Sequence, residues 1–190
     1  MVKKMGAYRY IQESIQNARK ERNQTYRTRI SSWRKEGTVV GTKRPMNIPR
    51  ARKCGYKSTK GFVVARVKIE KGMRKRPKPA KGRQARHNYR YTSPASSHQM
   101  IAEQKAARIY KNCEVIGSYF IADDGQYTFF EIILADRTLA SSKSSATLRK
   151  GRAFRGLTSA GQKARKRLKT GKTSDKKKRY ARTTKGIVKK

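Results

Sequence analysis

Arginine and lysine form short clusters along this chain, and their side chains have its most distinctive chemistry. One cluster runs from Arg52 to Lys57 and includes a tyrosine, and a second runs from Arg74 to Arg76. Guanidinium and ammonium groups bind phosphate oxygens, and an interleaved tyrosine can stack on an exposed base. With 51 Lys+Arg against 11 Asp+Glu, the chain has a formal net charge of +40. The clusters therefore predict a polyanionic partner, and nucleic acid is favoured over an anionic membrane because neutralising many phosphates releases counterions.

Residues suited to catalysis or metal binding are few and dispersed. Cys54 lies among bases that would lower the pKa of its thiol, so it is either a reactive thiol or a cysteine that the basic segment tolerates. Cys54 and Cys113 form no C-x-x-C pair, and His87 and His98 lack metal-ligand spacing. No glycine-rich phosphate loop or nucleophile elbow occurs. We therefore predict no catalytic residue, no metal, no cofactor and no small-molecule substrate.

The segment from Ser93 to Asp136 is the part of the chain where a core can form. It holds six acids against three bases, in contrast to the basic sequence around it. Its two apolar runs are rich in branched and aromatic residues and are joined through Asp124-Gly125, which predicts an antiparallel hairpin. Asp123 and Asp124 could suggest a metal or general-acid site. Adjacent residues in a turn do not converge on one substrate atom, so a turn role is the better interpretation.

Two helical patterns and one further strand complete the predicted fold. Apolar residues at steps of three and four predict a helix from Ala7 to Glu36, bent or broken near Arg22 and docked by its apolar stripe on the core. Alternation from Phe62 to Glu70 predicts a half-buried strand. Ser93-Pro94 predicts the start of a second helix. The fold class is therefore α+β, with a small sheet that includes the hairpin and packs with helices.

Three strongly basic segments are predicted to extend from this core. The 190 residues suit a single domain, and the segments lie at about 37–60, 72–92 and 137–190. The first two contain prolines among the charges, and the last has twenty bases and one acid in 54 residues. Within the third segment, Thr158 is placed to cap a short helix. No apolar run of 18 residues and no signal-peptide pattern occurs, so we expect an intracellular protein.

Several motifs resemble one known family. The matching pieces are Met5-Gly6-Ala7-Tyr8-Arg9-Tyr10-Ile11, Arg52-Lys53-Cys54-Gly55-Tyr56-Lys57, Gly72-Met73-Arg74-Lys75-Arg76-Pro77, Tyr127-Thr128-Phe129-Phe130-Glu131 and Arg155-Gly156-Leu157-Thr158-Ser159-Ala160-Gly161. They resemble the large-subunit ribosomal protein family numbered fifteen in archaea and eukaryotes, which is unrelated to the bacterial protein of that number. The motifs occur in the family's order over roughly Met5 to Gly171.

The resemblance implies a structural constituent of the large ribosomal subunit that binds and stabilises folded ribosomal RNA and supports translation. It implies no catalysis. The implied partners are large-subunit ribosomal RNA and neighbouring large-subunit proteins, with no membrane, and the implied location is the cytoplasmic ribosome. Two other classes are compatible with the composition: a basic DNA-compacting or chromatin protein and an RNA-processing enzyme. Basic segments that interrupt a core suit a folded RNA with crevices better than a regular duplex.

The predicted RNA contacts are the bases of the three segments and one tyrosine among them. They are Lys43, Arg44, Arg50, Arg52, Lys53, Tyr56, Lys57, Lys60, Arg74, Lys75, Arg76, Lys78, Lys81, Arg83, Arg152, Arg155, Lys163, Arg165, Lys166 and Arg167.

Overall fold

Helices and antiparallel strands make up the protein, as the α+β prediction requires. A computed structural model describes residues 6–76, 90–139 and 149–165. Its elements are α1 (Ala7–Glu21), α2 (Gln24–Lys35), β1 (Val39–Thr42), α3 (Ile48–Lys53), β2 (Phe62–Glu70), β3 (Arg74–Lys75), β4 (Tyr91–Thr92), α4 (His98–Ile109), β5 (Cys113–Asp123) and β6 (Tyr127–Asp136). A further helical segment occupies 159–165.

The main sheet has four strands in the order β1-β2-β6-β5, and every neighbouring pair is antiparallel. The central strand β6 is buried at eight consecutive positions, because it has a strand on each side and is covered on both faces. The predicted hairpin is confirmed as β5 and β6. Its turn depends on Asp124, whose Oδ1 accepts hydrogen bonds from the backbone N–H groups of Gln126 at 2.7 Å and Tyr127 at 2.5 Å.

Each face of the sheet has its own core, since successive strand residues point to opposite faces. On one face, Trp33 of α2 packs against Phe129, with ring centroids 5.4 Å apart. On the other face, Ala102 and Ala106 of α4 pack with Phe130. The predicted alternation of β2 is confirmed, because its two sets of side chains divide between these cores.

The N-terminal helical region is two helices with different degrees of burial. The predicted break is confirmed at Arg22, which has φ 48° in the left-handed region. Helix α2 buries Tyr26, Ile30 and Trp33, as its apolar stripe predicts. Helix α1 buries none of its residues, so the prediction that its stripe also docks on the core is wrong. The left-handed residue redirects the chain, and α1 lies beside α3 instead.

Helix α4 begins later than its sequence signal predicts. Ser97 is the N-cap, and its Oγ accepts a hydrogen bond from Met100 N at 3.3 Å. A start at Ser93-Pro94 is therefore wrong. Strand β4 ends at Thr92, paired with β3, so residues 93–97 are needed to connect this ladder to the helix.

The segment at 37–60 is part of the fold, which corrects its prediction as an extension. Strand β1 pairs with β2 through register pairs such as Val39 with Val67. Helix α3 buries Pro49 and Ala51. The segment is basic because its exposed side chains are charged, while a few small or apolar residues attach it to the sheet.

Candidate nucleic-acid interface

Helix α3 presents the first predicted cluster of bases at the surface. Asn47 starts the helix, and its side chain accepts a hydrogen bond from Arg50 N at 3.0 Å. Ala51 is fully buried in the core beneath α2. Because an α-helix turns by about 100° per residue, the following Arg52 and Lys53 point away from that contact and are exposed. The buried side of α3 thus sets the position of the bases on its outer side.

A buried carboxylate in the sheet holds the chain that leads into α3. Glu131 is 1 % exposed, and both its oxygens lie 3.1 Å from the backbone N of Met46. The Tyr119 hydroxyl also donates to Glu131 Oε2. Burial raises the pKa of Glu131 above its ordinary value, although these hydrogen bonds and the charge of Arg66 oppose the rise. The connection from β1 to α3 is therefore anchored by charge-assisted hydrogen bonds.

A cleft beside α1 gathers bases that are distant in sequence. Its volume is about 500 Å³, and its charged lining residues are Arg19, Lys20, Arg22, Arg50 and Asp123. Four bases against one acid give these residues a net charge of +3. Arg19 Nε lies 3.5 Å from Asp123 Oδ1, and Arg50 Nη1 donates to Phe120 O at 3.4 Å. A concave site lined by one sign of charge concentrates counterions, so the cleft suits a phosphate group.

Aromatic rings hold two guanidinium groups, one in the cleft and one on α3. Arg19 Cζ lies 4.4 Å from the centroid of the Phe120 ring, and Arg52 Cζ lies 5.5 Å from that of Tyr8. Arg52 also donates a hydrogen bond to the Tyr8 hydroxyl, which links α3 to α1. Cation–π contacts restrict these long side chains and leave guanidinium N–H groups available for another partner.

The second predicted cluster starts at a short ladder. Arg74 pairs with Thr92 and Lys75 with Tyr91, and residues 74–76 are all exposed. Tyr91 is 46 % exposed and belongs to neither core, so its ring is accessible for stacking on a base. The ladder brings both ends of the basic segment 72–92 together at the domain.

Two further carboxylates hold residues 149–165 against the domain. Glu114 accepts hydrogen bonds from Gly151 N at 2.8 Å and Arg152 N at 3.3 Å. Glu103 is 1 % exposed and accepts one from Thr158 Oγ1 at 2.6 Å. Burial raises the pKa of Glu103, while its hydroxyl partners oppose the rise. This part of 137–190 is therefore folded onto α4 and β5, which corrects its prediction as an extension.

The helix at 159–165 begins as the sequence predicts. Thr158 Oγ1 accepts a hydrogen bond from Gly161 N at 3.3 Å, which confirms it as the cap. Gly156 has φ 64°, and a Cβ built on Gly161 would lie 2.5 Å from Gly156 Cα. Two glycines thus permit a close backbone approach that brings the bases of this helix to the surface.

The chain matches a known protein family over most of its length. The family model described as Ribosomal L15, in its archaeal and eukaryotic form, matches residues 6–185. The chain belongs to the L15e family of ribosomal proteins. Members are RNA-binding proteins of the large ribosomal subunit, associated with ribosomal RNA and other ribosomal proteins, and act in translation. The family is structural and has no enzymatic activity, which confirms the prediction that the chain is not an enzyme.

Fifteen of the twenty predicted contact residues of this L15e protein lie in the described ranges. Twelve are exposed: Lys43, Arg44, Arg52, Lys53, Lys57, Lys60, Arg74, Lys75, Arg76, Arg155, Lys163 and Arg165. Arg50, Tyr56 and Arg152 are half-buried. Lys78, Lys81, Arg83, Lys166 and Arg167 lie outside the described residues.

Arg152 has contacts inside the L15e fold. Its Nη2 donates to Leu157 O at 3.4 Å, and its charge acts to lower the pKa of Glu103. Its Nε is buried without a hydrogen-bond partner among the described residues. Lys20 and Arg22 line the cleft but were not among the predicted contacts. The closeness of these bases in sequence was a signal that could have identified them, but only the fold places them beside Arg50.

Cys54 does not have the environment of an activated thiol, which corrects the expected fall in its pKa. Burial raises the pKa of the thiol, and so does the charge of Glu103; Arg50 and Lys53 oppose this without reversing it. Within 6–76, 90–139 and 149–165, no group of three His, Cys, Asp or Glu residues is arranged to hold a metal ion. None of the helices in those ranges is long and apolar enough to cross a membrane.

Proposed function

We propose that this L15e protein binds and stabilises folded large-subunit ribosomal RNA through four groups of bases around one domain. They are the outer side of α3 with the loop to Lys60, the cleft of Arg19, Lys20, Arg22 and Arg50, the segment 72–92, and the segment 149–167. The proposed location is the large subunit of cytoplasmic ribosomes, where neighbouring ribosomal proteins are further partners.

One observation supports the proposal most directly: several exposed bases of these groups form no ion pair, while the buried acids accept hydrogen bonds within the fold. Among the described residues, Arg52, Lys53, Arg74 and Lys75 form no ion pair with an acid of the chain. Such unpaired charges would repel one another in the free protein and are compensated when phosphates replace counterions around them. Family membership gives the DNA-compacting alternative no support.

Charge reversal tests the role of the second cluster. A variant with Arg74→Glu, Lys75→Glu and Arg76→Glu should fold, since these side chains are exposed. It should be lost from large subunits at a much lower salt concentration than the unaltered protein, because each phosphate contact contributes a slope of about 0.7–0.9 in log affinity against log salt. The measurement is retention on sedimented large subunits after washes of rising KCl concentration.

A matched control separates this cluster from charge in general. Arg27, Lys35 and Lys111 are exposed bases outside the four groups, and reversing all three gives the same change in net charge. If both triple variants are lost at the same salt concentration, total charge explains retention and the assignment of the cluster is refuted.

A further inference from the structure

A second concave surface, a groove, lies between α1 and α2 and shares Tyr26 with the basic cleft. Its volume is about 800 Å³, and its apolar lining includes Ile15, Ala18, Met46 and Ile121. On α1 the groove is lined by residues such as Glu13 and Asn17, and the cleft by others such as Arg19 and Lys20. The groove and the cleft therefore use different residues of α1.

The two surfaces differ in the sign of their charge. The charged residues of the groove are Glu13, Glu21 and Arg29, which give a net charge of −1. The charged residues that line the cleft give it a net charge of +3. In a chain of formal charge +40, a net negative lining is unusual and repels phosphate. The groove is therefore unsuited to the RNA backbone.

The two carboxylates of the groove also differ from most others in the described ranges. Glu36, Asp123 and Asp124 form ion pairs. Glu103, Glu114 and Glu131 accept hydrogen bonds from buried or backbone donors. Glu13 and Glu21 are exposed and form no ion pair within the described part of the chain. Their charges remain available to a partner.

Apolar residues of α1 give the groove a second binding component. No residue of α1 is buried, and Tyr10, which lines the groove, is 57 % exposed. Ile15 and Ala18 are half-buried on the wall of the groove. Contiguous apolar surface rimmed by charge marks a site of protein interaction.

We propose that this groove binds a segment of a neighbouring large-subunit protein that combines apolar side chains with two bases. The proposal rests on membership of the large subunit and is independent of which bases contact RNA. Glu13 and Glu21 are eight residues apart on α1, or about 12 Å along the helix axis. Two bases about four residues apart in an extended segment span the same distance and would pair with both carboxylates.

Crosslinking within assembled subunits tests the proposal. A photo-crosslinking amino acid replaces Asn17, which lines the groove between the two carboxylates, and large subunits that contain the variant are purified by sedimentation and irradiated. We expect one major product with a peptide of another subunit protein that contains apolar residues and Lys or Arg. Glu13→Lys with Glu21→Lys should lower the yield roughly fivefold or more, because attraction becomes repulsion at both positions.

Glu70→Lys is the control for added charge, since Glu70 is an exposed acid outside the groove, and it should leave the yield unchanged. If the lysine variant does not assemble, Glu13→Gln with Glu21→Gln is used and should lower the yield about twofold or more. A product with RNA, a product with this chain's own residues, no product, or an undiminished yield in the assembled charge variants overturns the proposal. Failure of the proposed function is scored separately in the salt wash, where it appears as loss of both triple variants at the same salt concentration.

Discussion

Removing one hydroxyl from the core tests whether buried acids anchor the basic surface. Tyr119→Phe deletes the donor to Glu131 Oε2 and leaves the ring in place. Glu131 then keeps the hydrogen bonds from Met46 but loses a charge-assisted one in a site that is 1 % exposed. Hydrogen bonds to charged groups contribute about 1.5–3 kcal/mol, so the free energy of unfolding should fall by about that amount when Glu131 is ionised.

The sign of the pH dependence follows from the raised pKa of Glu131. Stability from this group is fully present below the ordinary pKa of 4.5, and it decreases as pH rises toward the folded-state pKa. Tyr119→Phe raises the folded-state pKa of Glu131 further, so the decrease continues to higher pH. The loss caused by the substitution should therefore shrink to about 0.5–1.5 kcal/mol near pH 4.5, where a neutral hydrogen bond is removed.

Urea unfolding followed by fluorescence is suited to this measurement, because Trp33 is the chain's one tryptophan and is buried against Phe129. Tyr127→Phe is the matched control: Tyr127 is a half-buried tyrosine of the same sheet, and its hydroxyl has no hydrogen bond among the described residues. Equal losses for the two variants at about pH 8, or a loss for Tyr119→Phe that does not change with pH, would refute the anchoring role of the Glu131 carboxylate.

Three other substitutions test separate parts of the structure. Phe130→Ala should lower the free energy of unfolding by about 3–5 kcal/mol, measured with urea, because the ring is 6 % exposed in the core; exposed Phe154→Ala should have little effect. Gly161→Ala should release 149–165 while the sheet stays folded, since its Cβ would meet the Gly156 backbone; hydrogen exchange measures this, and equal protection in the variant would contradict it. Arg22→Gly should change stability by less than about 1 kcal/mol, because glycine suits φ 48°, yet weaken retention on subunits in salt; unchanged retention would remove Arg22 from the cleft's function.

Local sequence patterns predicted the elements that depend on contacts between residues close together in the sequence. The β5–β6 hairpin, the alternating strand β2, the break at Arg22 and the cap at Thr158 each depend on a few consecutive residues and are confirmed. The predicted start of α4 was wrong because the pairing of β3 with β4, which joins residues sixteen and eighteen positions apart, determines where the helix can begin.

The character of the basic segments was harder to predict. Charge density suggested that 37–60 and 137–190 lie outside the core, but Ala51 and Ala153 are small enough to pack under exposed bases. Asp124 has a turn role, and it is also an ion-pair partner of Arg34. Its burial opposes ionisation, yet the hydrogen bonds of Arg34, Tyr127 and Gln126 outweigh this and lower its pKa.

The sequence by itself determined the class of partner, the family and most elements, because charge, family motifs and local periodicity are properties of the chain. The tertiary structure decided where the charges act. Glu103, Glu114 and Glu131 are buried by contacts more than ten residues away, and each holds a segment that carries bases at its surface. The grouping of Arg19, Lys20 and Arg22 with Arg50 in one cleft also arises only on folding. Electrostatic attraction depends on distance in space, and only folding sets that distance.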